Sequence, residues 1–206
     1  MKKTLFLLPL LLLSCGALWQ TDAVRAVELA RTGKYAEAAA ALETAVAGGN
    51  FSPAVVESLY HSWIRQGEYA KARERFEAWA VANPGAGPLR LAAGRINRLT
   101  GNYARALTHL DTVLTNTDVG VAATFEKAQV LDDTGKRGDA EVIYNKLNKD
   151  YVDGRIRRPG DGLYAAGAMA ATEYFYDASD VLKKVTQADP RSAEAFVLWG
   201  DLLVEK

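Results

Sequence analysis

Gly33, Gly67, Gly101 and Gly135 stand 34 residues apart, and Ala38, Ala72, Ala106 and Ala140 follow them, each five residues on. A fixed period constrains the fold more than composition does. A unit of roughly 20 to 50 residues cannot bury its own apolar face and must stack against further copies of itself. Tyr35, Tyr69 and Tyr103 lie two residues after the first three glycines, and Arg137 takes the fourth slot. In the same phase come Leu42, Phe76, Leu110 and Tyr144, then Ala45, Trp79, Val113 and Leu147. These offsets place one apolar stripe on a helix.

A fifth copy runs through Phe175, Ala178, Leu182, Val185 and Pro190, with Glu173 in the glycine slot. Gly135 and Glu173 are 38 residues apart, so four additional residues fall in the stretch DYVDGRIRRPGDG, a lengthened loop rather than a domain boundary. The glycines are placed to end one helix in the left-handed conformation. The alanines mark where two helices approach closely and a larger side chain would overpack, with the tyrosine and leucine slots filling the space around them. The preceding helices carry their own stripes: Val56, Leu59, Tyr60 and Trp63 in one, Leu89, Ala93, Ile96 and Leu99 in the next, where Asn97 stands at a position expected to be apolar. The last fifteen residues repeat the first-helix pattern through Phe196, Trp199, Gly200 and Leu203, and Val197, Leu198, Leu202 and Val204 add to its apolar surface. Such a helix is expected either to continue into further repeats or to pack against a partner, a second copy of the chain included.

This pattern resembles the tetratricopeptide repeat (TPR) family over nearly all of the chain after its leader. The resemblance implies an all-α fold, a right-handed superhelical solenoid of antiparallel helix pairs. Its repeats would span about 19–52, 53–86, 87–120, 121–158 and 159–192, with a terminal half repeat at 193–206. It also implies that the first helices line a concave groove that holds another protein's peptide or helix. The groove positions expected to be exposed are Glu57, His61, Arg95, Arg98, Gln129 and Asp132, a mixed-charge set that suits a polar peptide carrying both signs. The lysine and asparagine clamp of chaperone-binding relatives is missing, since Ala23, Val27, Ser58 and Ala92 stand in its slots.

Twenty-five basic residues balance twenty-five acidic ones, which leaves no net field to draw the chain onto nucleic acid. The leader, residues 1–15, carries Lys2 and Lys3 and then an apolar run from Leu5 to Leu13, the form of a secretory signal peptide and too short to span a bilayer comfortably. Cys15 is the one cysteine, so no intramolecular disulfide can form. Leu12, Leu13, Ser14 and Cys15 resemble the bacterial lipobox, which implies acylation of Cys15 and anchoring in a membrane through the lipidated N-terminus. Gly16 lacks an acidic retention signal, which in a Gram-negative host favours the outer membrane, facing the periplasm. Cleavage near Gly16, releasing a soluble periplasmic protein, is the alternative.

The sequence offers little chemistry. His61 and His109 sit in no metal-binding spacing, and His109 is expected to face outward. No phosphate-binding loop occurs, and Gly85 to Gly87 follow Pro84 at a turn. Asp132 and Asp133 read as a solvated helix end. Arg155, Arg157 and Arg158 lie among Asp150, Asp153 and Asp161, either a solvated loop or a patch for a partner's acidic surface. No catalytic residue, cofactor or metal site is expected. The reading is an exported, non-enzymatic interaction scaffold of a bacterial envelope assembly. The alternative is the N-terminal TPR region of an envelope enzyme, such as a peptidase, with a catalytic domain beyond Lys206.

Overall fold

Short connections between amphipathic segments leave this sequence no choice but helical hairpins. The computed structural model describes residues 22–204. The leader with Cys15, the first residues of the expected 19–52 repeat and the final residues of the chain lie outside the described residues. Within them the helices are α1 (residues 22–31), α2 (Tyr35–Ala47), α3 (Pro53–Arg65), α4 (Tyr69–Ala82), α5 (Gly87–Leu99) and α6 (Tyr103–Asp111). They continue as α7 (Gly120–Asp133), α8 (Arg137–Val152), α9 (Gly162–Ala171), α10 (Phe175–Ala188) and α11 (Ala193–Val204), with a 3₁₀ turn at Pro159–Asp161. No strand occurs among the described residues, and none of their helices is long and apolar enough to cross a membrane.

The period is a turn. Gly33, Gly67, Gly101 and Gly135 all have φ between 76° and 81°. At each, two backbone bonds close the preceding helix. At the first, Gly33 N–H donates to Ala30 O at 3.0 Å and Lys34 N–H to Leu29 O at 2.9 Å; at the third, Gly101 donates to Arg98 O and Asn102 to Asn97 O. This is the Schellman arrangement, which satisfies carbonyls that a helix end leaves unpaired. The tyrosine slot is then the first residue of each following helix: Tyr35, Tyr69, Tyr103, Arg137 and Phe175. Tyr69 is 43% exposed, so this slot fills the space around the alanine only in part.

The fifth turn keeps the same shape without a glycine. Glu173 has φ 68°, donates its N–H to Ala170 O, and is followed by Tyr174 N–H on Met169 O at 2.9 Å. A side chain in this conformation costs about 1–2 kcal/mol. Glu173→Gly is therefore expected to stabilise the protein by about 1 kcal/mol, after allowing for the freedom glycine adds to the unfolded chain. Chemical denaturation checks it; an unchanged or lower midpoint would mean the strain is absent.

The chain divides into two compact units between Ala92 and Ala93, inside α5. In the first, α2 packs on α3 and α3 on α4 around Leu42, Leu59, Trp63, Ala72 and Phe76, all essentially inaccessible. Trp63 meets Phe76 edge-on at 5.3 Å and stacks on Trp79 at 6.0 Å, and Lys71 reaches both the Trp63 ring and Glu43. In the second unit α7 packs on α8, α8 on α9, and α9 on α10. Ala38, Ala72, Ala106, Ala140 and Ala178 are all fully buried, as the period requires of a point where helices close on one another. Pro190 lies exposed two residues past α10, where it prevents the helix from continuing. At Gly94 an added Cβ would lie 2.6 Å from Leu110 Cδ2, so α5 and α6 touch closely there.

The structure places Leu99, His109, Phe196 and Leu203 differently from the sequence reading. Asn97 is fully buried and Leu99 is 48% exposed, because the inner face of α5 runs through Leu89, Ala93, Ile96 and Asn97. Asn97 Nδ2 donates to Ala93 O at 2.9 Å, which lets an amide occupy the apolar stripe. His109 is buried, not outward, because α6 turns it inward beside Leu110. On α11 the buried positions are Ala195 and Leu202, with Leu198 and Trp199 partly buried against the same core, whereas Phe196 and Leu203 point to solvent.

Candidate partner-binding surface

The first helices of the hairpins carry the expected groove residues. In the first unit Glu57 and His61 sit one turn apart on α3, both half-buried, with Glu57 Oε1 3.9 Å from His61 Nε2. The His61 ring stands edge-on to Tyr60 at 5.2 Å. The clamp slots offer no charge: Ala23, Val27 and Ala92 are buried.

In the second unit the structure brings Arg95 and Arg98 together, and it corrects the expectation that Arg95 is exposed. Arg95 is 8% exposed and lies in the apolar face of α5 beside Ala92 and Ile96. Its Nε donates to Glu126 Oε1 at 2.8 Å and its Nη2 to the Tyr164 hydroxyl at 2.6 Å, with the guanidinium 5.6 Å from the centre of the Tyr164 ring. Glu126, itself 6% exposed, accepts a second bond at its other oxygen from Arg98 Nε at 3.1 Å. Arg98 then reaches Asp133 Oδ2 at 3.2 Å. Burial by itself would depress the Arg98 guanidinium, but the Glu126 charge and the bond to Asp133 hold it above its ordinary value.

Glu126 and Tyr164 were missed in the sequence, yet Glu126 carried a signal. It falls in the apolar stripe of α7 between Ala123 and Val130. A carboxylate there must find a cation, because an unpaired buried charge is too costly to keep. Tyr164 had no comparable mark.

Gln129 and Asp132 follow on α7, half-buried and exposed respectively. Asp132 opens onto a cleft of about 270 Å³ lined also by Arg137, Glu141, Tyr144, Thr172 and Glu173. Burial, with Asp132 nearby, pushes the Tyr144 hydroxyl up to about 12. It stays neutral at any ordinary pH and can donate a hydrogen bond there.

The loop arginines are largely neutralised. Arg155 pairs with Asp150 at 2.7 Å and Asp153 at 3.1 Å, and Arg158 with Asp161 at 3.4 Å and Asp118 at 3.5 Å while donating to Thr117 O at 2.9 Å. Arg157 donates its Nε to Gly154 O at 3.1 Å.

No family model matches the sequence, and no curated protein matches it. Solved structures do. A thermophilic TPR protein of Thermus thermophilus superposes with a TM-score of 0.62 at 16% identity, over 90% of this chain and 99% of that one. A tetratricopeptide repeat protein of Parabacteroides merdae gives 0.56 at 20% identity, over 91% of this chain and 72% of that one. Nearly identical TPR-like repeats from Podosopora anserina give 0.51 at 17% identity, over 84% and 96%. At these identities the likeness is one of architecture, and it agrees with the all-helical hairpins and the 34-residue turn: the chain has the α-solenoid fold of the tetratricopeptide repeat proteins.

Proposed function

We propose that this chain is a TPR-family interaction scaffold that works without catalysis, exported and held at a bacterial outer membrane through an acylated Cys15, facing the periplasm. Its first helices receive an extended segment of a partner protein in an envelope assembly. The observation that carries the reading is the division of labour on α5 and α7. Arg95 and Glu126 are buried in one another, while Gln129 and Asp132 remain half-buried and exposed on the same helix as Glu126. Hydrogen-bonding side chains on a face stiffened from beneath suit recognition of a peptide backbone and its basic side chains.

The test is capture in the native envelope with a photo-crosslinking residue at Gln129 and, separately, at Glu57. One dominant partner is expected from both positions, lost on Asp132→Lys with Glu57→Lys while the helical circular dichroism is kept. No partner above background at either position would sink the scaffold reading. The anchor is tested separately by mass spectrometry of the N-terminal peptide. Acylated Cys15 as the first residue is expected, and an unmodified N-terminus beyond it would replace the anchored form with a soluble one.

A further inference from the structure

α11 is apolar on two opposite faces. One face, Ala195, Leu198, Trp199 and Leu202, packs on the α9–α10 core, and Trp199 Nε1 donates to Ser179 Oγ at 2.8 Å. The other runs through Phe196, Val197, Gly200, Leu203 and Val204 in three- and four-residue steps. Phe196 is 48% exposed, Val197 58%, Leu203 59% and Val204 86%. A helix apolar all round belongs between two layers, and among the described residues α9 and α10 supply the layer on one side of this one.

On a different part of the same unit, the lengthened loop holds open a cleft of about 1000 Å³ between the C-terminal half of α8 and α10. Its lining is apolar at Val181 and Val185 and mixed in charge at the rim, with Arg157 on the loop side and Asp177, Asp180 and Lys184 on α10. Arg157 makes no ion pair among the described residues. A helix is about 10 Å across, so this volume equals a cylinder of that width about 13 Å long, between two and three turns. α11 has 12 residues, about 18 Å at 1.5 Å each. Asp201, exposed and one residue after Gly200, lies at the edge of the outer stripe, where it would face Arg157.

We infer that the outer stripe of α11 docks in the α8–loop–α10 cleft of a second copy, reciprocally across a two-fold axis, with Asp201 meeting Arg157. Area selects this over simple pairing of two α11 helices. The four exposed side chains offer roughly 300 Å² of apolar surface. Two stripes face to face bury about 600 Å², the size of an adventitious contact. Each stripe seated in the smaller lining of a cleft, twice over, buries about 1,000 Å², well above stripe on stripe and just short of a standard specific interface. The dimer is accordingly weak and concentration-dependent. This inference does not rest on the groove reading, and either can fail alone.

The test uses two preparations of the full chain in mild detergent, both with Cys15→Ser, one carrying Leu203→Cys and the other Lys184→Cys at the exposed rim of the cleft. Each copy then holds a single thiol. On oxidation with protein on the order of 100 μM, the mixture is expected to give disulfide-linked dimer at least tenfold above either preparation alone. Asp201→Lys in the first should lower that yield about tenfold, and Arg157→Glu in the second should restore it. Efficient self-linking of the Leu203→Cys protein would mean α11 pairs with α11 and would overturn the cleft, as would the absence of any linked dimer.

Discussion

Replacing Glu126 by alanine is expected to destabilise the unit that begins at Ala93 by about 3–5 kcal/mol, the loss seen when one member of a buried ion pair is removed. The cost lies less in the bonds lost than in the charge left behind. Arg95 has a side chain only 9% exposed, and the substitution takes away the carboxylate that stands 2.8 Å from its Nε. Arg98 keeps Asp133, and its side chain is 25% exposed, so its share of the loss is smaller. Two further variants separate charge from packing. Glu126→Gln keeps the shape and one acceptor and should cost less than alanine. Replacing Arg95 and Glu126 together by apolar residues of similar volume should recover most of the stability, because a buried pair and a well-packed apolar pair are often nearly equal. Hydrogen exchange of the α7 amides against denaturant measures each. An alanine variant with unchanged protection would show that Arg95 finds another anion or reaches water.

Trp63→Ala should cost the first unit about as much, roughly 3–5 kcal/mol. Trp63 is 1% exposed and holds three neighbours at once: the edge of Phe76, the face of Trp79 and the ammonium of Lys71, 5.0 Å from its ring. Removing the indole leaves a cavity that α3 and α4 cannot close without moving, and it cancels aromatic contacts worth about 0.5–1.5 kcal/mol each beyond area. Trp63→Phe should lose well under half as much, since a ring still meets Phe76. Near-ultraviolet circular dichroism together with urea unfolding checks this. A small loss with the aromatic signal intact would mean Trp79 swings in to fill the space.

The hairpins were legible in the sequence because their requirements are local and repeat. A left-handed turn wants glycine, a close crossing wants alanine, and both recur at Gly33, Gly67, Gly101 and Gly135 and five residues beyond. What was not legible depends on partners far along the chain. Arg95 reads as a groove residue from spacing alone; its inward partners include Glu126, 31 residues on, and Tyr164, 69 on. Asn97 reads as a misplaced polar group until the carbonyl of Ala93 is found to answer it. His109 shows a different limit, for its neighbour Leu110 was placed correctly in the stripe while the width of that stripe was underestimated.

Glu173 carries a lesson of a different kind. At four addresses the turn exposes bare backbone; at the fifth, the same backbone path is enforced by the helices on either side, and the residue is released from setting it. Architecture and chemistry are decoupled at that point. The unit can display a carboxylate beside Asp132 and Glu141, at the mouth of the cleft they share, with no change in the scaffold beneath. Any residue that tolerates the left-handed region could stand there in its place, so the surface at this turn can be rewritten while the backbone path is kept.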